Sequence, residues 1–459
     1  MAVAAPFASL VAVLAGLPSP LEGTAETLME WTPVPVASFL LIHAGSVARP
    51  AALLGAFALA LLCGGIAGAI GGAVAAVAPT TIGINVVVGG ALLAVVFLGL
   101  LSPAAVGPVV LMVVIFAAVM LGLELRPVRR AGRREFLTRT GAIVGGAGAL
   151  IALYYLRPLI WATGGRLAAY KPPPGLDATG ITHLVTPQNR FYVNDKVLQA
   201  PDIGASGWHF AISGAVRREV GLDYPGLLAR PATRRYITME CVDNPVGGPL
   251  IGNALWTGVR VVDLLGEAGA RGEMVIFSAA DNYAEGVPRK LLEQHDALIA
   301  YAMNGETLTR EHGYPARLLV PGLYGFKSVK WLTGMEVVGG SYEDMWRKRG
   351  WSGIPIVRTT TRIDAARRQG DRVVVAGIAF AGDRGIRAVE VRTNGGTWVR
   401  AQLGPILGRA AWVQWVATVR ADRNARIEAR AIDGLGHVQP RREHGAYPGG
   451  ASGWATVTA

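Results

Sequence analysis

Tyr236-Ile-Thr-Met-Glu-Cys241-Val-Asp-Asn-Pro-Val-Gly-Gly-Pro-Leu-Ile-Gly-Asn-Ala-Leu-Trp256-Thr-Gly-Val-Arg260 is the stretch on which the reading of this chain turns. It predicts a short strand ending in a cysteine, a Gly/Pro-rich loop, and a Trp-Thr-Gly turn. The chain has 2 cysteines, and the other, Cys63, sits in an apolar run near the N-terminus. No disulfide framework can exist, and Cys241 has no evident disulfide partner. A lone thiol at a strand end suits a nucleophile or a metal ligand, because the thiolate does either job. The alternative is a buried cysteine packing as a small hydrophobe.

Working outward, the chain divides by composition. Residues 1–165 are mostly Ala, Val, Leu, Gly and Ile, whereas residues 170–459 have ordinary globular composition rich in Arg. A membrane-spanning helix needs about 20 mostly apolar residues. Residues 51–77, 84–101, 104–123 and 141–162 fit this, and 4–17 is a shorter candidate. Residues 28–48, with Pro33, Pro35, His43 and Ser46, read as an interfacial or re-entrant piece. The expectation is an all-α transmembrane bundle of four to five spans over residues 1–165. Only His43 lies in this half and no Cys-x-x-Cys-His occurs, so no haem is expected in this chain.

Six arginines between Arg126 and Arg139 separate two of these spans. The excess of positive charge on cytoplasmic loops places them inside. The chain beyond Thr163 is then extracytoplasmic, a multi-pass protein of the cytoplasmic membrane. The net charge of +12 is largely explained this way, without nucleic acid as a partner. Arg133-Arg134-Glu135-Phe136-Leu137 before an apolar run also resembles a twin-arginine export signal, the route of domains folded around a cofactor. The alternative is a run of purely topogenic arginines. No cleavage site follows, and an uncleaved anchor is expected.

The second half begins with a stiff linker at Lys171-Pro-Pro-Pro174-Gly175. Alternation predicts strands at Trp208–Gly214 and at Met274-Val-Ile-Phe-Ser278. The pattern at Arg260-Val-Val-Asp263-Leu-Leu predicts a helix start, and Ala297–Met303 runs into an Asn304-Gly305 turn. Beyond residue 351, Arg372–Phe380, Ile386–Arg392, Trp412–Ala417 and Ala425–Ala431 alternate with period two, and Thr393–Thr397 reads as a hairpin turn. This spacing predicts an antiparallel β-sandwich over residues 351–459, with its Trp residues in the core and no catalytic cluster.

The motifs between residues 180 and 335 occur in a telling order. They are Cys241-x-x-Asn244, Trp256-Thr-Gly-Val259, Met303-Asn-Gly-Glu306, His312-Gly-Tyr-Pro-Ala-Arg317, Val320-Pro-Gly322 and Lys330-Trp-Leu332. Together they resemble the sulfite oxidase family of molybdopterin enzymes. The resemblance implies an α+β molybdopterin-binding catalytic domain over residues 166–350 and an immunoglobulin-like C-terminal domain, often a homodimer module. It implies a molybdenum–pterin dithiolene cofactor with Cys241 as the protein's sulfur ligand. By the same resemblance Asn189, Tyr192, Val193, Asp281, His312, Arg317, Ser328, Val329 and Lys330 contact the cofactor. Arg suits a phosphate through its bidentate fork and Lys as a point charge. Gly322 and Gly325 are expected to let backbone approach the cofactor. Tyr283 resembles the family tyrosine near the metal's oxo group; otherwise it is a packed loop aromatic.

The chain departs from the family's sulfite-binding pattern. No arginine follows Cys241, where Asp243-Asn244-Pro245-Val246-Gly247 stands, and the early family arginine is replaced by Asn194. The expected activity is extracytoplasmic oxygen-atom transfer coupled to two-electron transfer. Its substrate is a small oxyanion such as sulfite, or a sulfoxide or N-oxide. A separate cytochrome or the quinone pool would exchange the electrons. A non-catalytic binding or assembly protein retaining the pterin fold is the alternative.

Overall fold

The computed structural model describes residues 170–195, 197 and 200–459. The expected spans, the arginine loop, its export signal and His43 lie outside the described residues. Among those described, no helix is long and apolar enough to cross a membrane.

Residues 209–338 fold into two sheets. Their strands are β1 (His209–Gly214), β2 (Val220–Asp223), β3 (Thr233–Glu240), β4 (Ile251–Arg260), β5 (Met274–Ala279), β6 (Ala284–Pro288), β7 (Leu298–Met303), β8 (Glu306–Thr307), β9 (Arg317–Leu319) and β10 (Leu332–Val338). One sheet has the order β2-β1-β10-β5-β6, with β1 and β10 parallel and the other pairs antiparallel. The other has the order β3-β4-β7-β8, with β9 also paired to β7. The helices are short: α1 (Tyr224–Leu228), α2 (Val261–Ala268), α3 (Arg289–Gln294) and α4 (Met345–Lys348). The α+β expectation therefore resolves into a mostly β architecture with short helical connectors.

Local sequence explains the elements. β1 alternates exposed and buried residues over its first four positions, as a half-solvated strand should. β7 is buried along its whole length because it lies between β4 and the β8/β9 edge. α2 starts after Arg260 and buries Val261, Leu264, Leu265 and Ala268 on one face. Gly269, at φ 65°, ends it in the left-handed conformation that favours glycine.

The Trp256-Thr-Gly segment corrects the sequence reading. It is no turn but the middle of β4, and Trp256 is fully buried. Its glycine serves strand pairing. The β4–β7 register shifts between Thr257 and Gly258, and a Cβ on Gly258 would run into the Ile299 carbonyl. Glycine in a strand often marks such a bulge.

The C-terminal part is the expected two-layer sandwich. Its strands are β11 (Thr360–Gln369), β12 (Arg372–Phe380), β13 (Ile386–Thr393), β14 (Val399–Arg400), β15 (Gln402–Leu403), β16 (Val413–Arg420), β17 (Arg426–Asp433) and β18 (Ala455–Thr458). The sheets are ordered β11-β12-β16-β15 and β14-β13-β17-β18. Val373, Val375, Val389, Val391, Trp415 and Ile427 fill the space between them. Trp412 and Trp415 are core, as expected. Trp398 and Trp454 instead pack edge to face, with Arg392 and Arg430 over their rings.

The sandwich is bonded to the strand that ends at the cysteine. Thr238 N donates to the Ala410 carbonyl at 2.8 Å, and Trp412 N donates to the Thr238 hydroxyl at 2.8 Å. The residues just after the linker lie on the sandwich: Leu176 N donates to Gln414, and Arg367 holds the Thr179 carbonyl.

Candidate active site

Cys241 follows the last residue of β3 and is 7% exposed. Its N–H donates to the Leu250 carbonyl at 2.9 Å, closing the Gly/Pro-rich loop on itself. Asn244 stiffens that loop: its Nδ2 donates to Glu240 and its Oδ1 accepts from Leu250 N, both at 2.9 Å. Arg362 of β11 adds an outer clamp through the Gly248 carbonyl at 3.2 Å and the Thr182 hydroxyl at 2.6 Å.

Asn194 Nδ2 donates to the Cys241 sulfur at 3.1 Å. Burial pushes the thiol up to about 12, Asp243 and Glu240 push it the same way, and hydrogen bonds from Asp243 N and Asn194 oppose them. The metal-free side chain is therefore a thiol at neutral pH. A thiolate here needs a neighbouring cation, and metal coordination deprotonates a thiol outright. Glu240 is buried beside it, with Oε2 unpartnered. Burial raises its carboxyl to about 7 against the hydrogen bond from Asn244 and the charge of Arg362.

Of the residues expected to bind the phosphate, Arg317 bonds both the His312 and the Ser328 segments. Arg317, on β9, is 4% exposed. Its Nη1 donates to the His312 carbonyl at 3.1 Å and its Nη2 to the Ser328 carbonyl at 2.9 Å. Its guanidinium lies over the Trp256 ring at 5.5 Å. His312 Nε2 lies 2.9 Å from the Gln188 carbonyl, an acceptor only, so that nitrogen carries the proton. Its ring meets Phe191 edge to face, next to Tyr192. Ser328 Oγ accepts from Val320 N, the Val329 carbonyl accepts from Leu318 N, and Lys330 Nζ donates to the Glu311 carbonyl. The cis Tyr314-Pro315 bond lies inside this motif.

Two observations test whether a phosphate-ended pterin fits. First, Arg317 Nε is buried with no hydrogen-bond partner. Burial lowers the guanidinium to about 10, with Tyr192 opposing. A buried cation bonded only to carbonyls lacks its counter-charge, and a phosphate supplies one. Second, Cys241 is the only described cysteine, and no group of three or more His, Cys, Asp or Glu side chains among the described residues could hold a metal. A metal at Cys241 needs non-protein ligands, and a dithiolene provides them. The residues fit the cofactor.

The structure brings Cys241, Tyr192 and Arg317 together: charge interaction with Cys241 raises the Tyr192 hydroxyl, after the larger effect of burial, and Arg317 opposes it. Asn189 and Val193 are exposed on the adjoining segment. Gly325 has Tyr192 OH where a Cβ would stand, at 2.7 Å, so glycine is needed for that approach. The same space at Gly322 is taken by Asp383 and His295, so this glycine serves the packing of the sandwich.

Tyr283 lies in the turn between β5 and β6. Asp281 fixes its backbone N–H, and its hydroxyl joins Glu285, Trp346 and the Phe326 carbonyl. Sequence reading missed Glu240, Glu285, Lys327 and Tyr324. Burial raises the Tyr324 hydroxyl, with further upward contributions from Glu240 and Cys241, which places it near the thiol. A single charged residue in a strand or loop carries no periodic signal that it is buried.

The comparisons agree with this geometry. A model of the oxidoreductase molybdopterin binding domain matches residues 197–346. The sulfite oxidase of Gallus gallus is 30% identical over 329 residues, 59% of this chain and 70% of that protein. The mitochondrial sulfite oxidase of Drosophila melanogaster is 28% identical over 337 residues, 60% of this chain and 58% of that protein. This chain thus spans roughly three-fifths of the length of such relatives. An uncharacterized oxidoreductase of Bacillus subtilis is 30% identical over 36% of this chain and 85% of its own length. Among solved structures, the sulfane dehydrogenase SoxCD from Paracoccus pantotrophus shares the fold, with TM-score 0.54 and 23% identity over 64% of this chain and 85% of that one.

Proposed function

Because this chain belongs to the sulfite oxidase family of molybdopterin-binding oxidoreductases, we propose that it transfers an oxygen atom to or from a sulfur-centred substrate. The observation that carries this is the pairing of a buried lone thiol with a buried arginine whose Nε has no partner. When bound, the molybdenum–pterin group supplies the two-electron redox change and the site of oxygen exchange.

Cys241 supplies the protein sulfur and gives up its proton when the metal binds. Arg317 and Lys330 would hold the phosphate end, with His312 and the Ser328–Lys330 backbone shaping that cradle. Arg317 is fixed by two carbonyls, so little side-chain freedom is lost on binding. Tyr192 and Tyr324 lie close enough to the thiol to interact with it electrostatically.

The Gallus gallus and Drosophila melanogaster relatives are sulfite oxidases. A second reading, a neutral sulfoxide-type (or N-oxide) substrate, is favoured by Asn194. It places a neutral amide 3.1 Å from the sulfur, at a position where the family pattern has an arginine. Membrane anchoring, extracytoplasmic placement, twin-arginine export, an immunoglobulin-like dimer module and a separate cytochrome or quinone partner are also part of the proposal. They rest on residues 1–165 and on the sandwich.

Molybdenum and pterin content of the full-length protein, from cells supplied with molybdate, is the first test. Protein lacking both sinks the enzyme reading in favour of a binding or assembly role. Cys241→Ser should lower the molybdenum content and abolish turnover. A panel of sulfite, sulfoxides and N-oxides with artificial electron donors and acceptors then decides the substrate.

A further inference from the structure

A second buried polar cluster adjoins the site and takes no part in the chemistry above. Lys327, 1% exposed, donates to Glu285 Oε2 at 2.5 Å, Asp344 Oδ2 at 2.7 Å and the Gly286 carbonyl at 3.2 Å. All three ammonium protons are used. Glu285 and Asp344 are 0% and 1% exposed. Two carboxylates around one ammonium leave a net negative charge out of water unless one of them keeps a proton.

The partners of each carboxyl point to which one. Asp344 accepts from Lys327 and caps α4 through Arg347 N at 2.8 Å, so both its oxygens receive donors. Burial pushes Asp344 up, but these bonds, the Lys327 charge and a hydrogen bond with Glu285 outweigh it and hold the carboxyl below the usual range. Glu285 Oε1 lies 2.6 Å from the Tyr283 hydroxyl, which can donate to an ionised carboxylate or accept from a protonated one. That hydroxyl also meets Trp346 Nε1 at 2.8 Å and the Phe326 carbonyl at 3.1 Å. The indole can only donate and the carbonyl can only accept. A phenol has one proton. If Tyr283 gives it to Phe326, Glu285 must itself donate to Tyr283.

We propose that Glu285 is a positioning residue that carries a proton at neutral pH and donates it to Tyr283, so that Tyr283 anchors the Phe326 carbonyl. Phe326 and Lys327 lead directly into Ser328-Val329-Lys330, the segment assigned to the cofactor. Ionisation of Glu285 turns the Tyr283 proton back to the carboxylate and frees the Phe326 carbonyl. Burial raises Glu285 to about 8, with Lys327 opposing and Asp344 adding to the rise. The titratable and charged groups around it are Lys327, Asp344, Tyr283 and Tyr342, with Arg347 on the Tyr342 carbonyl and Arg349 over the Trp346 ring.

The proton on Glu285 follows from two buried carboxyls sharing one ammonium; its consequence for cofactor grip rests on the proposed function. Infrared spectroscopy of the full-length protein tests the first. A protonated-carboxyl stretch present at pH 6–7 should titrate away near pH 8 and be missing in Glu285→Gln, while any Glu240 band remains. Glu285→Gln keeps a donor to Tyr283 and an acceptor for Lys327, so it mimics the protonated form. Tyr283→Phe, which removes the acceptor of that proton, should shift the same band; it serves if Glu285→Gln fails to fold. Pterin retained after gel filtration tests the second: wild-type protein should lose pterin at pH 9, and Glu285→Gln should keep it. The proposal is overturned if neither variant alters the carboxyl band, or if both proteins lose pterin alike. Wild-type protein isolated without any pterin refutes the proposed function instead, and the infrared band still reports on Glu285.

Discussion

Arg317 and Lys327 are two buried cations ten positions apart in sequence, and they are compensated in opposite ways. Lys327 has two carboxylates and a carbonyl, with every proton used. Arg317 has two carbonyls, an aromatic face and a bare Nε. A cation completed by the fold holds the fold together. A cation left without its anion marks a place for a ligand that carries one. The difference separates structure from function more sharply than burial does, since both residues are nearly inaccessible.

The largest effect expected is at Lys327. Lys327→Met leaves the two buried carboxyls without their cation and should destabilise the protein by about 3–5 kcal/mol in urea unfolding. A loss under 1 kcal/mol would mean that the cluster is not what holds α4 and the Phe326 segment. Arg317→Met should leave apo stability much closer to wild type, because it removes an uncompensated charge together with two bonds to carbonyls. Its cost should fall on the cofactor, with affinity for pterin reduced roughly tenfold to a hundredfold, as for a lost charged hydrogen bond of about 1.5–3 kcal/mol. Equal unfolding losses in the two variants would erase the contrast.

The pH dependence sharpens it further. Glu285 is raised from an ordinary 4.5 to about 8 in the folded chain. Between these values the folded state binds the extra proton, so Glu285 makes stability fall as pH rises through this window. Glu285→Gln should remove a slope of at most about 1.4 kcal/mol per pH unit from chemical unfolding measured between pH 5 and 8. An unchanged slope would assign the proton to another group. The smallest effect is expected at Arg362, whose bonds to Gly248 and Thr182 steady the cysteine loop from the sandwich. Arg362→Ala should cost about 0.5–1.5 kcal/mol and speed amide exchange in residues 244–250; unaltered exchange would show that the loop holds itself.

Much of this was legible in the chain. Period-two alternation marked the sandwich strands and β1, because one face of each must be apolar to be buried. The Asn304-Gly305 turn was readable from its chemistry, since both residues take positive φ there. The ordered motifs from Cys241 to Lys330 marked the site, because metal and phosphate ligands must be particular residue types. The Trp256-Thr-Gly segment misled for a local reason: a glycine that admits a neighbouring strand reads the same as one that makes a turn.

Sequence by itself determined the family, the lone thiol, the arginine and the neutral Asn194 that replaces a charge. Each follows from residue identity. Only tertiary structure decided that Arg317 Nε lacks a partner while Lys327 meets two carboxyls, that the Tyr283 hydroxyl meets both Glu285 and the Phe326 carbonyl, and that Glu285 and Asp344 are buried around one ammonium. Those facts depend on which groups from β3, β6, β9, the 325–328 turn and the α4 cap share one water-excluded space. Electrostatic cost in such a space is set by the sum of neighbours, and no single stretch of chain contains that sum.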